Sequence, residues 1–207
     1  MPAPEVSSLQ YDNNVKTLGH VNLMVDTFIA NATLEDLRAI TRTLLATGSP
    51  SLASAFTAAA RARLRQTGAR RLASSNSLFA PGADGFDPVP TSELHSVLAR
   101  ARSLYGAGMG FASLGVLYSV VSATVGLRWE TDGDMADALA VVDADITQAI
   151  QSCKEELEGN RVSDMGAARE VVGQMRSAVE ESTRDVQGWG GEFPFDRAAC
   201  SIEYWKF

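Results

Sequence analysis

The sequence predicts an all-α protein, a single-domain bundle of six to seven helices with a C-terminal antiparallel αα-hairpin and an aromatic C-terminal tail. Three observations support this fold class. Apolar residues recur every three or four positions, no segment alternates apolar and polar residues as a half-buried strand does, and helix caps separate the periodic segments. With 207 residues, 45% of them hydrophobic and 21% charged, one globular domain is expected over residues 1–207.

Three helices are predicted before residue 69. The first spans Asp12 to Ala32, with Leu18, Val21, Val25 and Phe28 at helical spacing. A second follows the capping residue Thr33 and stops at Gly48, and a third starts at Ser49-Pro50 and stops at Gly68. The apolar stripes of the second and third helices are expected to face the core: Leu34, Leu37, Ile40, Leu44, Leu45, Leu52, Phe56, Ala59, Ala60 and Leu64.

Residues 69–90 lack helical periodicity and are rich in Gly, Pro, Ser, Asp and Asn, so they are predicted to form a long surface loop or a disordered linker. Thr91 caps the next helix, which runs into residues 104–127, LYGAGMGFASLGVLYSVVSATVGL. This segment has five glycines and no charged side chain, which is typical of the buried helix at the centre of a bundle. Its glycines either let helices approach closely or break the helix near Gly106–Gly110 and leave a cavity.

The last third of the chain is the most regular. Residues Asp134–Glu158 carry an apolar seam at alternating spacings of four and three, and a second such seam runs from Met165 to Trp189 after the predicted cap Ser163. Two heptad seams joined by a short turn at Gly159-Asn160 favour an antiparallel αα-hairpin. The tail, residues 191–207, contains five aromatic residues and is predicted to dock onto the bundle or a partner.

Several functional classes are disfavoured by the motifs. Residues 104–127 are long enough to span a bilayer, but they contain many small and polar residues and have little charge bias at their flanks. The run Gly106-Ala107-Gly108-Met109-Gly110 has Ser113 where the dinucleotide fingerprint needs its third glycine, and no Gly-Lys-Ser/Thr follows. Neither a membrane span nor a phosphate-binding loop is therefore predicted, and no cofactor is implied.

Metal and nucleic-acid sites are also not predicted. Five acids invite comparison with the aspartate motifs of helical prenyl-diphosphate enzymes, but acids are expected anyway where a helix starts: Asp132, Asp134, Asp137, Asp143 and Asp145. One basic cluster follows a helix–turn–helix-like pair but has no interleaved aromatic residues: Arg61, Arg63, Arg65, Arg70 and Arg71.

The charge distribution bears on partners. Residues 1–102 hold ten basic and eight acidic residues, whereas residues 103–207 hold eight basic and seventeen acidic ones. The acidic half disfavours nucleic acid, and the asymmetry is compatible with head-to-tail self-association. The first residues show no basic region followed by an apolar core, so a cytoplasmic or nuclear location is expected.

Three segments carry a resemblance: LYGAGMGFASLGVL, ALAVVDADITQAIQSCKEELEG and GWGGEFPF. They are similar to segments of small uncharacterised helical proteins of filamentous fungi, over most of the chain after Thr33. The resemblance implies an intracellular protein. It implies no activity, and it brings no catalytic residues to this chain.

Two functions from different classes follow. The first is a non-enzymatic helical module that self-associates or binds a protein partner through the heptad hairpin and the aromatic tail. The alternative is a small-molecule-binding protein or a metal-independent enzyme with a pocket beside the glycine-rich segment. The residues predicted for such a pocket are His95, Tyr105, Met109, Phe111, Tyr118, Arg128, Trp129 and Glu130.

Overall fold

The structure, a computed structural model, describes residues 24–68, 77–82 and 87–207, so Leu18 and Val21 of the predicted first helix lie outside the described residues. The mainly helical fold is confirmed, with a tiny sheet that the sequence did not predict. Within the described ranges, no helix is both long and apolar enough to cross a bilayer. The elements in chain order are α1 (24–31), α2 (Leu34–Thr47), α3 (Pro50–Gln66), β1 (Phe79–Pro81), β2 (Pro88–Pro90), α4 (Ser92–Gly106), α5 (Gly110–Ser122), α6 (Asp134–Glu158), α7 (Met165–Trp189) and α8 (Asp196–Glu203).

The backbone contacts divide the chain into two compact units, an N-terminal unit of residues 1–54 and a C-terminal unit of residues 55–207. In the N-terminal unit, α2 starts as the sequence predicts, because the hydroxyl of Thr33 accepts a hydrogen bond from the amide of Asp36 at 3.1 Å. Gly48 ends the helix. The burial differs from the prediction: none of the described residues 24–54 is buried.

Helix α5 lies at the centre of the C-terminal unit and packs against α4, α6 and α7. It can do so because it is apolar on nearly all sides, and eight of its thirteen residues are buried. The seams predicted for α6 and α7 are mostly buried as expected. In the described chain, both helices pack on α5 far more than on each other. A heptad pattern shows which face of a helix is buried but not which element covers it. Here the seams of α6 and α7 both pack on α5.

The glycine-rich segment is not one helix. The chain turns between α4 and α5 at Gly108, whose φ of +71° is a left-handed conformation that favours glycine. Gly110 then lies so close to α6 that an added Cβ would be 2.3 Å from the amide nitrogen of Cys153. Both uses of the glycines that the sequence left open, a break and a close helix approach, therefore occur.

Two short strands lie where the sequence predicts only a loop or linker. Strands β1 and β2 pair antiparallel, with Phe79 opposite Pro90. The adjoining residue Leu78 is fully buried, and its carbonyl accepts a hydrogen bond from the amide of Thr91, the cap of α4, at 3.1 Å. Strands of three residues bounded by prolines are too short to show a period of two, which explains why the sequence pattern missed them.

The C-terminal segment contains a short helix, α8, that the sequence did not predict. The amide of Ala198 near its start donates to a carboxylate oxygen of Asp143 on α6 at 2.8 Å. Phe195 is fully buried, and the rings of Trp205 and Phe207 lie 6.1 and 5.3 Å from that of Phe111. Phe195 and Trp205 thus belong to the core of the C-terminal unit, and Phe207 packs against it.

Candidate functional site

A cavity of about 440 Å³ lies beside the exposed edge of α5 in the C-terminal unit. This volume falls in the range of small-molecule pockets, roughly 300–1,000 Å³. Its space exists partly because Gly115 has no side chain: an added Cβ would have its nearest neighbours, the methyl groups of Val171 on α7, 3.9 Å away. The lining residues come from α3, α5, α6, α7 and the turn before α7: Arg65, Phe111, Ala112, Gly115, Tyr118, Glu156, Arg161, Val162, Ser163, Asp164, Ala167, Ala168, Val171 and Gln174. We call this the Gly115 cavity.

Two arginines contribute positive charge to the Gly115 cavity. Arg65 is near the end of α3, and Arg161 is in the turn between α6 and α7. Among the described residues, neither guanidinium pairs with a carboxylate, and Arg161 donates to the backbone carbonyl of Glu155 at 2.9 Å. The cavity therefore combines an apolar wall with guanidinium groups that retain hydrogen-bonding capacity.

Two carboxylates also line the Gly115 cavity, and both are hydrogen-bonded at helix starts. A carboxylate oxygen of Glu156 accepts from the amide of Phe111, in the first turn of α5, at 3.3 Å. The carboxylate of Asp164 caps α7 by accepting from the amide of Ala167 at 3.0 Å. Asp164 takes the role that the sequence gave to Ser163. These acids are stabilised by the positive ends of the two helix dipoles.

Two of the eight residues predicted for a pocket line this cavity. Phe111 and Tyr118 are on the face of α5 that lines it. Met109 directly precedes α5 and is buried, with 2% of its surface exposed. Its burial makes it a core residue rather than a group that a ligand can contact.

Tyr105 belongs to a polar cluster that joins α4 to α6. Its hydroxyl donates to Asp145 at 3.0 Å, and the guanidinium of Arg102 contacts both oxygens of the same carboxylate at 3.0 and 3.1 Å. Burial, together with the nearby carboxylate, raises the pKa of Tyr105. The bidentate contact to Asp145 raises the pKa of Arg102. Arg102, Tyr105 and Asp145 are one another's hydrogen-bond partners, so we interpret the cluster as a structural link between α4 and α6.

Arg128 and Trp129 lie in a second cluster, in the loop after α5. Arg128 forms an ion pair with Asp185 of α7 at 2.9 Å and lies over the ring of Trp189 at 5.4 Å. Trp129 is buried and meets the same ring edge-on at 5.3 Å. A hydrogen bond from the amide of Gly126 lowers the pKa of Asp185, with Arg128 adding to the effect. Trp129 lines a separate small cavity of about 270 Å³.

The two remaining predicted residues are exposed. His95, in the first turn of α4, has its Nδ1 2.9 Å from the carbonyl oxygen of Thr91. Glu130 is in the loop before α6. The structure places neither of them in the Gly115 cavity.

Two of the five aspartates compared with a metal motif have other roles. Asp145 binds Arg102, and Asp143 accepts from the start of α8. Within residues 24–68, 77–82 and 87–207, no three His, Cys, Asp or Glu side chains are grouped so that they could hold a metal ion.

The arginines of the Gly115 cavity are functional candidates that sequence reasoning missed. Arg65 was assigned to a generic basic cluster, and Arg161 received no role. Nearly a hundred residues separate them in the chain. The only sequence signal was the Gly159-Asn160 turn, where Asn160 has a positive φ of 51° and directs the chain into Arg161.

A second candidate site is the apolar surface of the N-terminal unit. Eight large hydrophobic side chains there are 40–63% exposed: Met24, Val25, Phe28, Ile29, Leu34, Ile40, Leu44 and Leu52. The much longer described part of the C-terminal unit has only five exposed large hydrophobic side chains: Phe56, Val89, Val141, Met165 and Tyr204. We call the set of eight the N-terminal apolar surface. A surface this rich in exposed apolar side chains is typical of an interaction site.

No family model, no curated protein and no solved structure matches this chain.

Proposed function

We propose that the protein is a helical self-assembly module in which the N-terminal apolar surfaces of two copies pack together. The observation that carries this proposal is that helical residues 24–54 include eight exposed large apolar side chains and no buried residue. Helices in proteins gain most of their stability from packing of an amphipathic face. The described part of this unit provides no such packing for itself, and a second copy would supply it.

The energetics favour a symmetric contact. Full burial of one such side chain contributes ~1.5–3 kcal/mol, so eight that are about half exposed contribute roughly 6–12 kcal/mol per copy. Association costs an estimated ~4–15 kcal/mol. Burial of one copy's surface against a polar partner would therefore barely offset the cost of association. An isologous contact buries the surface of both copies and roughly doubles the gain.

The charge of the surface is compatible with this arrangement. Residues 24–54 carry three acids and two arginines, whereas the chain as a whole has a net charge of −7. Glu35 and Arg38 pair with each other along α2 at 2.6 Å. Two copies can therefore approach through this surface with little like-charge repulsion. Residues 103–207 are strongly acidic, so two copies that met through them would repel each other.

This docking surface differs from the α6 and α7 seams, which the sequence favours. Those seams are mostly buried within the C-terminal unit. Tyr204 is the one strongly exposed aromatic residue in the tail, at 81%. Among the residues that the structure describes, the exposed large apolar side chains are therefore concentrated in the N-terminal unit.

Sedimentation equilibrium of the full chain tests the proposal. The test variant is Leu34→Glu with Leu44→Glu on α2, and the matched control is Val141→Glu with Met165→Glu, which adds the same charge at similarly exposed sites in the C-terminal unit. We expect the wild type and the control to self-associate and the test variant to remain monomeric. A wild type that is monomeric at every concentration contradicts the proposal, as does equal association of both variants.

A further inference from the structure

We propose that the Gly115 cavity binds an amphipathic organic anion, in which a carboxylate, sulfonate or phosphate is attached to a flat apolar group. This site is separate from the N-terminal apolar surface and does not depend on self-assembly. The shape and composition of the wall, the placement of three arginines and the engagement of the nearby acids support the proposal.

The wall of the Gly115 cavity suits a flat apolar group. Phe111 and Tyr118 provide aromatic surface from α5, and Val171 faces them from α7. Gly115 lies between them, and its missing side chain leaves the backbone of α5 open to a ligand. Apolar and aromatic walls with a few polar groups are characteristic of small-molecule sites.

Two guanidinium groups, those of Arg61 and Arg161, come close together beside Gly108. An ideal Cβ on Gly108 would lie 3.5 Å from an Nη atom of Arg61 and 3.6 Å from an Nη atom of Arg161. Those two nitrogens are therefore no more than about 7 Å apart. Arg61 donates to the carbonyl of Ala107 at 3.2 Å, and among the described residues it has no carboxylate partner. Two guanidiniums this close repel each other, and a bound anion relieves that repulsion.

Both acids of the cavity are engaged by backbone amides at helix starts. Glu156 and Asp164 accept hydrogen bonds from the first turns of α5 and α7. Within the described part of the chain, Arg65 and Arg161 retain several N–H donors each. A guanidinium fork matches the geometry of a carboxylate or phosphate. An anionic head near the arginines places its apolar part against Phe111 and Tyr118.

Isothermal titration calorimetry of the full chain with 2-naphthoate, compared with the uncharged 2-naphthamide, tests the proposal. We expect 2-naphthoate to bind and the amide to bind about tenfold more weakly or worse, because only the carboxylate gains charge-assisted hydrogen bonds. Arg65→Gln with Arg161→Gln should weaken naphthoate binding by a similar factor. The matched control, Arg169→Gln with Arg176→Gln, removes two α7 arginines that do not line the cavity and should bind like the wild type.

A second variant tests the location without changing charge. Gly115→Leu places a side chain in the cavity, and the open space around Gly115 predicts that the helix tolerates it. We expect this variant to keep its circular dichroism spectrum and to lose naphthoate binding. The proposal is overturned if naphthoate does not bind the wild type, if Gly115→Leu leaves its affinity unchanged, or if the two arginine pairs have equal effects. Sedimentation of the same samples reports self-association separately, so failure of one proposal is distinguishable from failure of the other.

Discussion

Replacement of Gly110 by alanine should destabilise the protein strongly, because this residue sets the distance between α5 and α6. An added Cβ would lie 2.3 Å from the amide nitrogen of Cys153 and 2.6 Å from the carbonyl carbon of Ser152. Ordinary contacts of a Cβ are 3.4–4 Å, so the start of α5 must retreat from α6 by about 1 Å. The atoms it meets are backbone, which no rotamer change can move.

The magnitude follows from how much α5 packs against its neighbours. A gap of ~0.5–1 Å forfeits a quarter to a half of a dispersion contact, and this helix buries residues against three others. Overpacking of a core typically costs ~1–3 kcal/mol, and a backbone clash belongs at the upper end. We expect Gly110→Ala to lower the free energy of unfolding by about 3 kcal/mol.

Urea unfolding followed by circular dichroism, at one protein concentration, measures the effect. Gly115→Ala is the matched control, since it makes the same change in the same helix with its nearest contact at 3.9 Å. This control should raise the free energy of unfolding by ~0.4–1 kcal/mol, because alanine restricts the unfolded chain and favours the helix. The reasoning is refuted if the free energies of the two variants agree within about 1 kcal/mol.

Three further predictions concern the core and its titrating groups. Phe195→Ala removes a fully buried ring and should cost ~3–5 kcal/mol in urea unfolding, so a cost below ~1 kcal/mol contradicts its assigned place in the core. Burial raises the pKa of Asp143 above its unfolded value, so the folded state holds that proton more tightly and stability falls as pH rises through the folded pKa. Asp143→Asn keeps an acceptor for the amide of Ala198, so its stability relative to wild type should increase as the pH rises from the unfolded pKa through the raised folded pKa. A pH-independent difference would contradict this assignment. Burial also raises the pKa of the Cys153 thiol, so a disulfide reagent should modify exposed Cys200 quickly and Cys153 only after unfolding. Rapid modification of both cysteines in the folded protein would show that Cys153 is not buried.

Strong periodicity made helices α6 and α7 predictable. The bounds of α6 agree with the sequence prediction at both ends, because its seam is long and regular. The start of α7 was off by one residue in its cap, since Ser163 and Asp164 are both good caps and only the three-dimensional contact to Ala167 selects Asp164.

Burial was less predictable than secondary structure. The stripe of α2, from Leu34 to Leu44, identified the apolar face correctly, but periodicity does not say whether the same chain covers that face. The same limit applies to α6 and α7, whose seams the sequence paired with each other and which pack on α5. An apolar stripe identifies one face of a helix, whereas the tertiary fold determines which element packs on that face.

The Gly115 cavity was predictable only in part. Phe111 and Tyr118 follow from the glycine-rich segment, because its small residues leave space next to aromatic ones. Arg65 and Arg161 could not be assigned, since the fold brings them together from α3 and from the turn before α7. Charged residues on loops and helix ends have no periodicity that would place them.

Hydrogen exchange as a function of protein concentration tests self-assembly through the N-terminal apolar surface most directly. Exchange is followed at amides of α2, with amides of α5 and α6 in the same sample as the internal reference. We expect the α2 amides to be protected at high concentration and to lose protection on dilution, because a second copy covers the stripe from Leu34 to Leu44. The protection of α5 and α6 should not change. Protection of α2 that is independent of concentration would contradict the account.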